Sequence, residues 1–348
     1  MENLAGNGDA SSFVLHWLES WDRDQNINGF VSPTRPLMWS TVTDRWRAAS
    51  GCTPGTDPCA LDFAKAPFRL TVIVSRLDLR DFSDDGKVNN AVEGRFVFNA
   101  LKADGTPLAA TVIFEFELQA KKAKEVLEWA SNWHNLGSLP FGPSFNTQLQ
   151  QITQNYSGRA ISDKPGGSAL NQLRTNEASL APAGSDPANL PSTKLWEMRE
   201  FNVLPSGQLE QVTVKQTPDL SFNGSSALAA FINSSEADTV SGKHTVPPSM
   251  LGASSLIPKK LVWTAPGTSE AARKGFAVNT CSGCHLSETG TAFLHIGRRN
   301  AGAPTPISAF LTGELALRGA DLSNLLEAGK NGLKLPEGKR KDGKGSTD

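Results

Sequence analysis

The clearest chemical signal in the chain is carried by five consecutive residues, Cys281, Ser282, Gly283, Cys284 and His285. They have the pattern C-x-x-C-H, in which two thiols are followed directly by an imidazole. Thiols at this spacing can form thioether bonds to the edge of a porphyrin, and the adjoining imidazole can then reach the iron as an axial ligand. The sequence therefore predicts one covalently attached haem c, anchored by Cys281 and Cys284 and ligated by His285.

The ligand on the other side of the iron is left open by the sequence. None of the chain's four methionines follows His285, so a downstream methionine ligand is excluded. His295 is the first candidate, since it lies ten residues after His285 and an extended chain of that length spans up to about 33 Å. His244, Met250 and an open sixth position are the alternatives. Ligation by two histidines would imply a low redox potential.

Zinc is the main chemical rival to haem at this motif. Four residues are acceptable zinc ligands: Cys281, Cys284, His285 and His295. His285 follows Cys284 directly, however, and is poorly placed to share a tetrahedral ion with both thiols. A redox-active disulfide between the two cysteines is a third interpretation. The motif favours haem over both.

Length and composition are those of a globular protein with two domains. The chain has 348 residues, of which 39% are apolar. It carries 34 Lys and Arg against 35 Asp and Glu, so its net charge gives no sign of nucleic acid or of an acidic membrane surface as a partner. No apolar run approaches the length of a membrane span, and we expect none.

The remaining cysteines and the start of the chain bear on the compartment. Cys52 and Cys59 bracket a turn-rich loop that can bring them within bridging distance, which predicts a disulfide; two buried thiols are the alternative. Residues 1–10 lack the basic and apolar regions of a signal peptide. Because covalent haem attachment is a reaction of exported proteins, we infer that an export signal is absent from this chain and that the protein is periplasmic or extracellular.

Hydrophobic periodicity predicts an α+β domain over residues 1–240, in which helices pack on an antiparallel sheet. Alternating or β-branched runs indicate strands at 68–80, 94–101, 112–118, 195–204 and 209–217. Apolar residues at helical spacing indicate helices at 11–22, 120–136, 146–156 and 225–232. Residues 170–180 fit neither pattern. Strands and helices do not alternate regularly, so the strands should pair antiparallel.

The rest of the chain is predicted to hold a connector, a small haem domain and a tail. Residues 241–268 are rich in Pro, Gly and Ser, which indicates an irregular connector. The haem domain, at 269–329, is mainly helical. Its helices are expected at 269–280, 306–311 and 321–327. Residues 330–348 are basic and rich in Gly, which predicts a flexible tail.

Other catalytic signatures are absent from the sequence. It contains neither a G-x-S-x-G nucleophile motif nor an H-E-x-x-H zinc motif. A polar cluster stands among apolar residues at Arg174, Asn176 and Glu177. We interpret it as a buried hydrogen-bond network in preference to a catalytic site. The sequence thus favours an electron-transfer or binding protein over a catalyst.

The stretch around the motif also resembles known families. Over about residues 268–328 it resembles c-type cytochrome domains, although Phe276, the aromatic packing residue, lies five places before Cys281 instead of four. Most of the chain is similar to a family of uncharacterised secreted proteins or lipoproteins of Gram-negative bacteria that carry such a C-terminal motif. Two other segments of this chain, at 169–177 and 211–219, also resemble segments that occur in that family. This resemblance implies export and conveys no established activity.

The leading functional prediction is an exported single-haem c-type cytochrome that transfers one electron. Its large N-terminal region would dock a redox partner protein or shape the haem pocket. One alternative is a surface binding or assembly protein with a structural or sensory haem, which would allow self-assembly. A second alternative is a haem peroxidase-like enzyme, which needs an open sixth position. A third is a zinc-binding protein that uses the C-x-x-C-H motif.

Overall fold

The structure is a computed structural model that describes residues 1–6, 8–53, 58–90, 92–178, 195–258, 262–291 and 294–338. Within these residues the fold is α+β and is built on an antiparallel sheet, as predicted. The strands are β1 (Gln25–Ile27), β2 (Phe30–Ser32), β3 (Phe68–Arg76), β4 (Asp81–Phe82), β5 (Val88–Asn90), β6 (Glu93–Leu101), β7 (Pro107–Glu117), β8 (Leu170–Glu177), β9 (Leu195–Val203), β10 (Leu209–Val212) and β11 (Ser255–Pro258).

Helices flank this sheet on the described part of the chain. They are α1 (Ala10–Leu18), α2 (Pro36–Met38), α3 (Asp44–Ala49), α4 (Ala123–Leu136), α5 (Pro143–Ser157), α6 (Ser226–Ser234), α7 (Glu236–Val240), α8 (Glu270–Asn279) and α9 (Ala309–Lys330). A wide helical turn at Trp39–Thr43 joins α2 to α3. The helices predicted at 120–136, 146–156 and 225–232 correspond to α4, α5 and α6.

The main sheet has the strand order β3–β6–β7–β8–β9, and every neighbouring pair is antiparallel. The outer edge of β9 is shared: β10 pairs with residues 200–203, and β11 pairs with residues 195–198. The pairs β1–β2 and β4–β5 form two separate hairpins. The sheet is therefore continuous from the N-terminal region to β11, which lies within the predicted connector.

Three elements differ from the sequence prediction. Residues 170–177 form the internal strand β8. They fitted no pattern in the sequence because polar residues on one face of this strand obscure the alternation. Residues 255–258 of the predicted connector form β11, whose strand identity comes from pairing with β9. The two short helices expected after the motif are one helix, α9, which begins where Ser308 Oγ accepts a hydrogen bond from Leu311 N.

One face of the sheet is apolar and carries the first core. Phe114, Leu173 and Phe201 lie directly opposite one another on β7, β8 and β9, so they share this face. The helices α1, α4 and α5 pack here, and the second half of α9 joins them through Leu325. Gly94 lets the ring of Tyr156 approach the sheet, because a Cβ at this glycine would lie 2.3 Å from Tyr156 Cζ.

The other face of the sheet is polar beneath the C-terminal segment. Arg174 of β8 pairs with Glu200 of β9 at 2.9 Å and with Glu115 of β7 at 3.3 Å. Arg95 of β6 also pairs with Glu115, and the Glu115 and Glu200 side chains are 1% and 0% exposed. The three residues of the predicted polar cluster are each hydrogen-bonded, but they do not form one network. Arg174 and Asn176 lie on this face with separate partners, whereas Glu177 lies on the opposite face and accepts a hydrogen bond from Trp21 Nε1.

A second apolar core lies beside this polar face. Its buried members include Trp196 and Met198 of β9, Trp263, and Phe276 of α8. Residues of α6 and of the predicted connector complete it. The stretch predicted as a haem domain, 269–329, thus contributes α8 to the second core and the end of α9 to the first, while its independence as a domain stays a prediction.

Cys52 and Cys59 form the predicted disulfide, with Cα atoms 5.6 Å apart. Within the described ranges, none of the helices has both the length and the apolar character needed to cross a membrane. Of the predicted tail, residues 331–338 are described, and the backbone N–H of Gly338 donates to the carbonyl oxygen of Arg80 at 2.9 Å. Residues 339–348 of that predicted tail lie outside the described residues.

Four charged side chains are buried together against the first core: Arg35, Glu177, Glu197 and Arg199. The two glutamates lie directly opposite each other on β8 and β9. Burial raises the pKa of Glu177 to about 7, and Glu197 adds to this rise while Arg199 opposes it. Glu177 therefore binds its proton more tightly in the folded than in the unfolded protein. Its contribution to stability is full below pH about 4.5 and is lost as the pH rises through about 7.

The variant Glu177→Gln keeps the neutral form at every pH. We expect it to match the unmodified protein near pH ~4 and to be more stable at pH ~8, by up to about 3 kcal/mol. Chemical denaturation at a series of pH values measures this difference. A difference that stays constant across the series would contradict the assignment of a raised pKa to Glu177.

Candidate functional site

The C-x-x-C-H motif begins directly after α8, as the sequence predicted. Ser269 caps this helix, because its Oγ accepts a hydrogen bond from Ala272 N at 3.2 Å. Phe276 is buried and fixes the apolar side of α8 in the second core. The chain turns at Thr280 and continues as a wide helical turn over Gly283–Ser287. The position of the motif is therefore set by a helix that the core holds in place.

Both residues between the two cysteines have structural roles. A Cβ at Gly283 would lie 2.0 Å from the carbonyl oxygen of Ala277, so only glycine allows the motif to fold back against the end of α8. The backbone N–H of Gly283 donates to Thr280 Oγ1 at 3.0 Å. Ser282 is buried, and its Oγ accepts a hydrogen bond from Trp263 Nε1 at 2.9 Å. The motif is thus fixed on the side of α8 and the second core.

The two thiols have different surroundings, and neither belongs to a disulfide. The backbone N–H of Cys281 donates to Thr217 Oγ1 at 3.0 Å, which places this cysteine over the polar face of the sheet. Burial raises the pKa of Cys281, and the nearby Arg174 opposes that rise. Cys284 Sγ lies 3.4 Å from His295 Nε2. The two cysteines are therefore separate sulfurs with different neighbours.

Two imidazoles meet beside Cys284. The rings of His285 and His295 are 4.6 Å apart between centroids and are inclined at 56°. The His285 ring also stacks on the indole of Trp196, with centroids 4.8 Å apart and an angle of 26°. The structure thus brings together three of the four predicted cofactor-binding residues, Cys284, His285 and His295, and places Cys281 on the sheet side of the motif.

His295 lies on a loop that is attached to the sheet. The ends of the loop are joined by the backbone N–H of Ser308, which donates to the His295 carbonyl oxygen at 2.9 Å. The backbone N–H of Arg299 donates to Asn99 Oδ1 at 2.9 Å, and Thr305 Oγ1 donates to the Thr71 carbonyl oxygen at 3.0 Å. The loop that begins at His295 is therefore attached to both β6 and β3.

The other two candidates for the sixth ligand lie in the second core. His244 is buried, and its ring contacts the rings of Phe231 and Phe276 at 6.1 and 5.8 Å. Burial lowers the pKa of His244. Met250 is buried in the same cluster. Among the three side chains considered for this ligand, His295 is the one whose ring contacts His285.

The chemistry of the site suits a haem at the motif. Covalent attachment would use two separate thiols, and an adjacent imidazole is the kind of group that would ligate the iron. Phe310 contacts the His295 ring at 5.2 Å and begins an apolar stretch that is partly exposed to solvent. The exposed members of that stretch and its flank are Ile307, Phe310, Leu315 and Leu317.

The separation of the two histidines limits the role of His295. Metal–nitrogen bonds to imidazole are about 2.0–2.1 Å, so rings on opposite sides of one ion have centroids roughly 6 Å apart. The observed 4.6 Å is shorter. The rings of His285 and His295 could therefore bind one iron from opposite sides only if the loop of His295 moved outward. Within the described ranges, no group of three or more His, Cys, Asp or Glu side chains is placed to hold a metal ion.

The chain was compared with known protein families, curated proteins and solved structures. No protein-family model, no curated protein and no solved structure matches the chain. The resemblance to c-type cytochrome domains and to secreted proteins stays a prediction, supported by the motif itself.

Sequence reasoning missed three residues at the site: Trp196, Thr217 and Ser308. Trp196 is a buried core residue, and one face of its ring contacts the ring of His285. Ser308 Oγ lies 3.1 Å from His295 Nδ1, and Thr217 contacts Cys281. These residues belong to separate elements that meet only in the folded protein, so no spacing in the sequence links them to the motif.

The half-buried position of His295 predicts a dependence of stability on pH. Burial, and then the charge of Arg318, lower the pKa of His295 to about 4. The unfolded chain then binds more protons than the folded protein between pH about 6.5 and about 4. We expect the haem-free protein to lose stability as the pH falls through this window, and His295→Gln to reduce that loss. Denaturant titrations at several pH values test this, and an unchanged slope in the variant would contradict it.

Proposed function

We propose that the protein is an exported single-haem c-type cytochrome that transfers one electron to or from a partner protein. Cys281 and Cys284 anchor the haem, and His285 is its proximal ligand. The observation that carries the proposal is the meeting of Cys284, His285 and His295 at the end of α8, with both thiols outside any disulfide. The Cys52–Cys59 disulfide supports a periplasmic or extracellular location.

Haem, when bound, supplies a one-electron couple whose potential follows its axial ligands and surroundings. The protein's own residues prepare His295 to be one of these ligands. Its lowered pKa keeps the imidazole neutral, which is the form that ligates a metal. Ser308 Oγ contacts Nδ1, which leaves Nε2 directed towards the motif.

A sixth ligand from the chain favours electron transfer over peroxidase chemistry. Peroxide or another small substrate needs an open coordination position, and a second histidine would occupy it. The loop of His295 is attached to the sheet at Asn99 and Thr71, so its histidine stays close to the motif even if the loop moves outward. We therefore infer ligation by His285 and His295 and a low potential.

The proposal is tested by producing the protein in a bacterial host that exports it and attaches haem c. Visible spectra of the oxidised and reduced protein should show a low-spin haem with no change on addition of carbon monoxide. A redox titration should fit a reversible one-electron couple. A high-spin spectrum that changes with peroxide would contradict the electron-transfer assignment in favour of an enzyme, and absence of a Soret band would contradict the haem itself.

A further inference from the structure

An aromatic side chain of the main sheet, Trp196 of β9, contacts the ring of His285 in the motif. We propose that Trp196, held by Asn176, positions the ring of His285 and thereby tunes the proximal ligand. This inference rests on the function proposed above, and it gives the large N-terminal region a role in the chemistry. Both residues are positioning residues, since each acts through His285.

Trp196 offers a rigid surface to the imidazole. It lies in β9, which is paired on one side with β8 and on the other with β11. The residue is 0% exposed, and its ring is part of the second core. The His285 ring lies nearly parallel to the indole, at 4.8 Å and 26°. Rotation of the imidazole about its own side chain would drive it into an indole that cannot move aside.

A hydrogen bond to Asn176 fixes the orientation of the Trp196 indole. Asn176 Oδ1 accepts this bond from Trp196 Nε1. Asn176 lies in β8 opposite Met198, so it projects from the same face of the sheet as Trp196, whose position differs from that of Met198 by two residues. Asn176 is itself buried, so loss of this bond would leave polar atoms of both side chains without a partner. The plane of the His285 ring is thus set by two neighbouring strands.

The stacked indole should also influence the electron affinity of the haem. The face of an indole is electron-rich and attracts positive charge. A ring bound to iron carries more positive charge when the iron is oxidised, so the stack stabilises the oxidised state. Removing the indole should therefore raise the midpoint potential.

A second tryptophan provides a matched control. Trp263 is 1% exposed, belongs to the same core, and donates its Nε1–H to Ser282 within the motif. Its ring packs against Phe276 at 5.4 Å. Trp263→Phe therefore disturbs the same core and the same motif without removing the indole that stacks on His285.

The first test needs no haem. In the haem-free protein, the NMR signals of the His285 ring protons should be shifted upfield by the ring current of Trp196. Trp196→Leu should abolish this shift, Trp196→Phe should keep part of it, and Trp263→Phe should leave it unchanged. Asn176→Ala should weaken it, and this variant decides the matter if Trp196→Leu fails to fold. An unchanged His285 signal in both Trp196→Leu and Asn176→Ala would overturn the inference.

The second test uses the haem-loaded protein. Trp196→Leu should change the equilibrium constant for one-electron reduction by up to about tenfold, which is about 59 mV towards higher potential. Trp196→Phe should restore most of the original value, and Trp263→Phe, which loses its hydrogen bond to Ser282 but keeps the stacked indole, should change it less than Trp196→Leu does. Equal potentials in Trp196→Leu and Trp263→Phe would overturn the tuning role. If the unmodified protein carries no haem, the proposed function fails, while the NMR test still decides whether Trp196 positions His285.

Discussion

Replacing Arg80 by alanine is expected to lower the free energy of unfolding by about 3–5 kcal/mol, because it leaves a buried carboxylate without its partner. The Arg80 side chain is 0% exposed and that of Asp321, in α9, is 4% exposed. Nη1 and Nη2 of Arg80 donate to the two carboxylate oxygens of Asp321 at 2.5 and 2.8 Å. A two-point pair of this kind is strong and geometrically specific.

The same guanidinium also holds the chain beyond α9. It donates to the carbonyl oxygens of Leu77, Pro336 and Glu337 at 2.8, 2.9 and 3.2 Å. Loss of Arg80 therefore leaves three carbonyl groups as well as the carboxylate without this donor. Besides the fall in stability, we expect faster amide hydrogen exchange in residues 331–338 and in the second half of α9.

Two comparisons separate this effect from a general loss of charge. Lys334→Ala removes an exposed ion pair to Asp84 that also links the region after α9 to the loop between β4 and β5, and it should leave stability unchanged. Replacing Arg80 and Asp321 together by leucine should cost less than Arg80→Ala alone, since no charge stays buried. If Arg80→Ala is no worse than Lys334→Ala, the assigned role of this pair is wrong.

Removal of both motif cysteines is expected to have the largest effect on the cofactor. The double variant Cys281→Ala/Cys284→Ala should contain no covalently bound haem after denaturation, whereas each single variant should keep a reduced fraction. The physical reason is that the thioether bonds are the only covalent links that the proposal assigns to the haem. Haem staining of denatured protein, measured against total protein, gives the ratio.

The other cysteine pair serves as the control for that experiment. Cys52→Ala/Cys59→Ala removes the disulfide, which should cost about 2–3 kcal/mol of stability for a loop of this size. It should leave the haem content per folded chain unchanged. Haem that persists in the Cys281/Cys284 double variant, or that depends equally on the two pairs, would contradict the assignment of the motif.

The sheet could be predicted where one face of a strand is apolar. The alternation of residues 112–118 gave β7, and a local turn connects it to β6. The strand β8 could not be predicted in this way, because polar residues on one of its faces are covered by partners from other strands: Gln172 and Asn176 are buried, and Arg174 is half-buried. Burial of polar residues depends on which groups they meet, and periodicity carries no information about such partners.

The end of the chain shows a different limit. Gly313 and Gly319 weaken the helical pattern between the two predicted short helices, yet α9 runs through both. A cap at Ser308 begins the helix, and contacts of its second half to the first core and to Arg80 stabilise it. Tertiary packing thus outweighs the local cost of glycine in the helix. A short window of sequence contains no information about that packing.

At the candidate site, the C-x-x-C-H spacing identified the motif, and the short distance in sequence from His285 pointed to His295. The structure places Cys284, His285 and His295 close together, while the role of the motif and His295 in binding haem stays a proposal. Trp196, Thr217 and Ser308 come from elements distant in sequence, so their contacts with the motif arise from the topology of the sheet. The contribution of the N-terminal region to the site could be seen only in the folded protein.

The most direct test of the central claim is the mass of the intact, denatured chain after export from a host that attaches haem c. The proposal predicts a mass increased by one haem, and an unmodified mass for the Cys281→Ala/Cys284→Ala variant made in the same host. A chain at its unmodified mass, with Cys281 and Cys284 joined to each other or recovered as thiols beside bound zinc, would contradict the proposed cytochrome.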